Sequence, residues 1–110
     1  MNIDQTLTAL SDPTRVAIVT RLATEGEVDA TELAAPFNIS QPAVSRHIRI
    51  LEEAGWVSRR RVGTRRPIRL DAARLQEIHV WSGKLRAAFE ANYNRLDQLL
   101  EMEMKNDKSP

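Results

Sequence analysis

Gln41, Ser45, Arg46 and Arg49 fall within one short stretch and are of the types that read base edges and grip phosphates. Gln can pair bidentately with adenine and Arg with guanine, while Ser contacts either a base or a phosphate. Val44, Ile48 and Leu51 interleave with them as an apolar stripe. The stretch therefore reads as a helix with a core face and a hydrogen-bonding face. Ser40 caps it, Pro42 is tolerated in its first turn and Gly55 stops it, giving about 15 residues or roughly 22 Å. Ser40 has a phosphate contact as its second use, because a helix N-terminus favours anions. His47 is open to two uses, donation to a phosphate or packing sideways against the segment that follows. That segment is rich in arginine, and a capped amphipathic helix leading into it has the layout of a DNA-reading element.

The charge supports this layout once it is divided along the chain. The net charge of +1 over 110 residues hides −4 in residues 1–44, +6 in residues 45–74 and −1 in residues 75–110. The middle segment carries nine Arg against three acids, the footprint of a polyanion-binding face. Arg outnumbers Lys thirteen to three, a bias that suits phosphate and guanine but that an Arg-rich genome also produces. Six of these arginines, Arg59, Arg60, Arg61, Arg65, Arg66 and Arg69, lie in a predicted hairpin. Side chains alternate across a strand, so they cannot all face one way. The turn-proximal Arg65 and Arg66 are expected to reach a minor groove or its flanking phosphates, and Arg61 is a third DNA-binding candidate.

The elements that must position these residues follow from periodicity and punctuation. Ile3, Leu7 and Leu10 predict a first helix over 3–10. Asp12 and Pro13 cap and open a second, which buries Val16, Val19 and Leu22 and ends at Gly26. Asp29 or Thr31 starts a third, short because of Pro36; Asp29 and Glu32 have capping-box spacing. The reading helix is the fourth. Trp56–Val62 and Pro67–Leu70 read as strands joined by a turn with Gly63 and Thr64; Pro67 makes the second an edge strand or precedes its start. Asp71 caps a long fifth helix over 72–104 with apolar positions that include Leu75, Ile78, Trp81, Leu85, Phe89, Tyr93 and Leu96. The expected fold class is mainly α with a small β-hairpin: a single domain over 1–105 with four helices, the hairpin and a fifth helix, then a frayed tail over 106–110.

Several function classes drop out. The absence of cysteine excludes disulfides and thiolate metal sites. There is no nucleophile constellation and no glycine-rich phosphate loop, so no catalytic residue and no cofactor is assigned and an enzyme is not expected. No apolar run reaches the roughly 20 residues of a membrane span and no signal peptide is visible, so a cytoplasmic protein without membrane association is expected. Glu77, His79 and Glu90 are the only suggestive metal ligands. Glu77 and His79 stand two apart and do not share a helix face, so no metal site is assigned.

Leu10-Ser11-Asp12-Pro13-Thr14-Arg15, followed by Ser40-Gln41-Pro42-Ala43-Val44-Ser45-Arg46-His47-Ile48 with Leu51, Ala54-Gly55 and Val57, resembles the ArsR-type winged-helix transcriptional repressors of bacteria. The resemblance covers roughly residues 5–100, and the final segment looks like the cysteine-free branch of that family. It lifts the polar face of the fourth helix above the ordinary reading of a solvated surface. It implies a homodimer, paired through the first and last helices, that represses transcription on an inverted-repeat DNA operator. On this reading Ile3, Leu7, Trp81, Leu85, Phe89 and Leu96 form the dimer interface, although Trp81, Phe89 and Tyr93 also suit a ligand pocket. Two alternatives stand beside it: a ligand- or metal-responsive sensor whose effector releases DNA, and a winged-helix protein-interaction module without DNA binding. The inducing signal is not written in the sequence.

Overall fold

The computed structural model of the chain describes residues 2–107. Its elements run α1 (Ile3–Thr8), α2 (Pro13–Glu25), β1 (Glu27–Asp29), α3 (Ala30–Ala34), α4 (Gln41–Glu53), β2 (Val57–Arg59), β3 (Pro67–Leu70) and α5 (Ala72–Asp107). The helix order is the expected one. The boundary between the chain's two compact units falls inside α5, after Glu77.

Caps chosen by the sequence set the helix boundaries of the first unit. Asn2 accepts from the Asp4 amide, Asp12 from Thr14 and Arg15, Asp29 from Thr31, and Ser40 from Ala43. Each side-chain oxygen satisfies an N–H that the first helical turn would otherwise leave unpaired. Gly26 and Gly55 terminate α2 and α4 with φ of 89° and 82°, in the left-handed region that glycine enters without a Cβ clash.

Ile18, Val19 and Leu22 of α2, Leu33 of α3 and Val44, Ile48 and Leu51 of α4 are buried together with Val28, Trp56, Val57 and Ile68. Val16, expected in this core, is exposed. The buried face of α2 follows Ile18, Val19 and Leu22, and a residue two positions before Ile18 lies about 200° around the helix from it. Trp56 is fully buried and donates its Nε1–H to the Thr6 carbonyl at 2.9 Å, which fastens α1 to the end of the reading helix.

The sheet corrects the expectation in two ways. It has three strands in the order β1-β3-β2, all antiparallel, with Glu27 opposite Arg69, Asp29 opposite Pro67, Val57 opposite Leu70 and Arg59 opposite Ile68. β1 escaped the sequence reading because three residues, Glu-Val-Asp, are too few to show an alternation. β3 is consequently the central strand, and Pro67 is its buried first residue rather than part of an edge. Pro is tolerated at a strand's first position because its missing N–H falls where the ladder begins. Asp29 closes the ladder there instead: its Oδ1 accepts the Arg66 amide at 2.7 Å, and the Arg66 carbonyl accepts from Ala30 at 3.2 Å.

The unit from Ile78 onward consists of the remainder of α5. Val80, Trp81, Leu85, Phe89, Tyr93, Leu96, Leu99 and Leu100 are all exposed there. The helical backbone reaches Asp107, inside the tail expected over 106–110, and residues 108–110 lie outside the described residues. Among the described residues, no helix is long and apolar enough to cross a membrane.

Candidate nucleic-acid interface

The strong amphipathicity of α4 separates its two faces. Val44, Ile48 and Leu51 are buried, while Gln41, Pro42, Ser45, Arg46 and Arg49 are exposed. Gln41, Ser45 and Arg49 are spaced by four and so stack along one side of the helix. Ser40 is exposed at the N-terminus, its Oγ accepting from Ala43 N at 3.3 Å, so capping is its role in the fold.

The hairpin turns tightly beside this helix. Val62 and Arg65 exchange both backbone hydrogen bonds, at 3.0 and 2.9 Å, around Gly63 and Thr64. Within the turn, positive φ falls on Gly63 and not on Thr64; its 62° is the pattern of a type II′ turn with glycine first. A cleft of about 280 Å³ lies where α4 and the hairpin meet the start of α3, with Gln41 and Ser45 on the α4 side, Arg59, Thr64 and Arg66 on the hairpin side and Asp29 and Thr31 between them. Helix and hairpin thus bring Gln41, Ser45, Arg59, Thr64 and Arg66 to one concave surface, while Pro42, Arg46 and Arg49 line an adjoining hollow that also reaches Ser45 and Arg59.

The six hairpin arginines divide by partner. Arg60 is held bidentately by Glu27, at 2.9 and 3.0 Å, across the width of the sheet. Arg59 pairs with Glu52 at 3.3 Å, and Arg69 donates to Ser58 Oγ at 3.2 Å. Arg61, Arg65 and Arg66 are exposed around the turn. Alternation had required such a division, and the acids Glu27 and Glu52 decide it. On α4, Arg49 and Glu53 approach to 3.4 Å with side chains 75% and 68% exposed, a pairing too solvated to hold Arg49 away from a phosphate.

His47 is placed differently from its neighbours. It is half-buried and turned toward α2, where its Nδ1 lies 3.0 Å from Arg15 Nη1 and 3.8 Å from Asp12 Oδ2. Its Nδ1 is thus turned toward α2 and not toward the hairpin. Arg15 in turn donates through Nε to the Ala9 carbonyl at the end of α1, at 2.6 Å. Sequence reasoning missed Arg15 as a partner because 32 residues separate it from His47.

Two carboxylates of the frame are acidified. Partial burial pushes Asp12 up, but hydrogen bonds from the Arg15 and Thr14 amides and the charges of His47 and Arg15 outweigh it and leave the group below its ordinary value. Asp29 is lowered by the Thr31 hydroxyl first, then by the Arg66 amide, against a smaller desolvation and with help from the Thr31 amide and the Arg65 charge.

Glu77, one of the three suggestive metal ligands, accepts from Thr6 Oγ1 at 3.1 Å and pairs with Arg74 at 2.6 Å, a structural commitment. Among the described residues, no group of three or more His, Asp or Glu is placed to hold a metal ion.

Comparison with known proteins agrees with this geometry. A helix-turn-helix domain family model matches residues 10–60. The chain is 46% identical over 75 residues to the HTH-type transcriptional regulator Rv2034 of Mycobacterium tuberculosis, covering 68% of this chain and 69% of that protein. It is 38% identical over 73 residues to the transcriptional repressor SdpR of Bacillus subtilis, covering 66% and 80% respectively. Its structure resembles that of an ArsR-like transcriptional regulator from Rhodococcus sp. RHA1 with a TM-score of 0.76 at 26% identity, over 88% of this chain and 91% of that one.

Proposed function

Since this chain belongs to the ArsR-type helix-turn-helix family of DNA-binding transcriptional repressors, which are not enzymes, we propose that it acts as a homodimer on an inverted-repeat operator and reads it with α4 and the hairpin. The observation that carries this reading is the shared concave surface of the two elements, polar on both walls and flanked by exposed arginines. Gln41, Ser45, Arg46 and Arg49 enter the major groove and contact base edges and nearby phosphates, with Ser40 and Pro42 at the helix entrance. Arg61, Arg65 and Arg66 lie along the backbone or the adjacent minor groove and supply salt-sensitive affinity.

Dimerisation is supported by the long unpartnered apolar stripe of α5. Trp81, Leu85, Phe89 and Leu96 recur at steps of four, four and seven residues and are all exposed in the single chain, the last three by more than half. A contiguous stripe of this kind is costly in water and marks an association surface. Ile3 and Leu7 of α1 contribute to the same pairing. Two reading helices related by a twofold axis would meet successive major grooves roughly 10 base pairs apart.

The test is binding to the duplex upstream of the chain's own gene, compared with a scrambled duplex at physiological salt. Tighter binding of the native duplex, with two molecules per site, supports the proposal. Equal affinity for both sinks it.

A further inference from the structure

We propose that His47 is a positioning residue that latches the reading helix to α1 and α2 through Arg15, and that its charge state governs sequence discrimination. The inference rests on the DNA-reading function proposed above. Arg15 is a donor at every nitrogen and does not deprotonate in proteins. At 3.0 Å from Arg15 Nη1, His47 Nδ1 is therefore the acceptor, which places the neutral ring's proton on Nε2. The same guanidinium donates to the Ala9 carbonyl at 2.6 Å. One side chain thus joins the end of α1, the first turn of α2 and the middle of α4.

The charged groups facing the ring are Arg15 and Asp12, both from α2, while α1 offers only the neutral Ala9 carbonyl to the latch. A proton on Nδ1 converts it from acceptor to donor and sets an imidazolium against a guanidinium. Among the described residues, Asp12, 3.8 Å away, is the acid in position to take the new N–H. Protonation therefore exchanges the ring's partner from Arg15 to Asp12: α4 keeps a tie to the start of α2 but loses its link to the guanidinium, which stays on the Ala9 carbonyl at the end of α1. Ser45 and Arg46 immediately precede His47 in sequence, so a small displacement of the ring's anchor moves the base-contacting side chains.

The sign of the pH response separates this role from a phosphate contact. An imidazolium touching phosphate strengthens DNA binding in acid. A broken latch lowers the preference for the correct sequence in acid, whatever the added charge does to general affinity.

The experiment measures affinity for the upstream duplex and for a scrambled duplex from about pH 8 to 5.5 at constant ionic strength, the span over which imidazoles change charge. Wild type is compared with His47→Gln, whose amide oxygen can accept from Arg15 at every pH. The expected result is a fall in the native-to-scrambled affinity ratio of roughly tenfold in wild type, the worth of one hydrogen bond to a charged group, and a flat ratio in the variant. A ratio that rises in acid in wild type alone, or identical profiles for the two proteins, overturns the proposal. Long-range proton–nitrogen spectra of the DNA-free protein read the tautomer directly: a neutral ring protonated on Nδ1 also overturns it. Because that spectrum needs no DNA, failure of the protein to bind either duplex would refute the DNA-reading function and leave the latch decided separately.

Discussion

A Cβ built on Gly55 would stand 2.6 Å from Arg74 Nε and 2.9 Å from its Nη2. The glycine that ends the reading helix therefore leaves the space in which a guanidinium from the first turn of α5 rests. It also adopts φ of 82°, so two independent constraints fall on one residue. Gly55→Ala is expected to cost about 1–3 kcal/mol through the backbone alone, with a further loss from displacing Arg74. Urea denaturation checks the total. Adding Arg74→Ala should cancel part of the second loss and none of the first, which a double-mutant cycle resolves.

Arg46→Ala and Arg65→Ala should separate base reading from backbone grip. The first is expected to cost about 1–3 kcal/mol on the native duplex and to relax specificity at one base pair. The second should weaken native and scrambled duplexes alike and reduce the salt slope by about 1. Titrations at several salt concentrations read both effects; identical behaviour of the two variants would remove the division of labour between helix and hairpin.

Arg60→Ala provides the internal contrast. Its guanidinium is already held bidentately by Glu27, so its loss should change the salt slope by clearly less than the loss of Arg65.

Acid should loosen the frame of the reading head before it reaches the core. Asp12 and Asp29 are held below their ordinary values in the folded chain, so the unfolded chain binds their protons more readily. Their contribution is complete at neutral pH and is lost as pH falls through about 4 and below. Asp29→Asn removes the titrating charge while keeping an oxygen for the Arg66 amide, so its urea midpoint should decline less steeply between pH 5 and pH 3 (roughly the window in which carboxylates protonate). A parallel decline in wild type and variant would exclude Asp29 as a contributor.

Charge introduced on the α5 stripe should dissociate the proposed dimer. Leu85→Glu and Phe89→Glu are each expected to weaken association at least about tenfold, because a carboxylate must then be desolvated against an apolar partner. Sedimentation velocity at micromolar concentration measures the shift, and circular dichroism of the same samples should remain helical.

The parts of this molecule that the sequence displays are those governed by local chemistry. Ser40, Asp12 and Asp29 stand out as caps because a cap acts within three residues, and Gly26 and Gly55 as stops because positive φ is a property of one residue. The apolar stripe of α4 repeats with the helix itself. What escaped was set by distant pairing. β1 is three residues long and exists because β3 pairs with it; nothing within Glu27–Asp29 announces it. Pro67 suggested an edge because the strand lying on its far side could not be seen. His47 was grouped with its polar neighbours by type, whereas its orientation follows from Arg15 and Asp12 on another helix. Among the hairpin arginines, alternation limited how many could face outward, but the identity of the committed ones depended on where Glu27 and Glu52 fold.

The placement of β3 between β1 and β2 has a kinetic consequence. β1 precedes the helix pair α3–α4 and β3 follows it, yet the two strands are neighbours. Their pairing closes a loop around both helices, and the entropy of that closure is recovered only once the enclosed helices are gathered against the sheet. The β2–β3 hairpin can form early as a local element, but two strands are marginal in water and its third partner arrives last. Completion of the sheet is therefore expected to be a late step of folding, after the enclosed helices have gathered. Amides of β3 and of the buried face of α4 should accordingly exchange with solvent in a single cooperative opening, since releasing one releases the other.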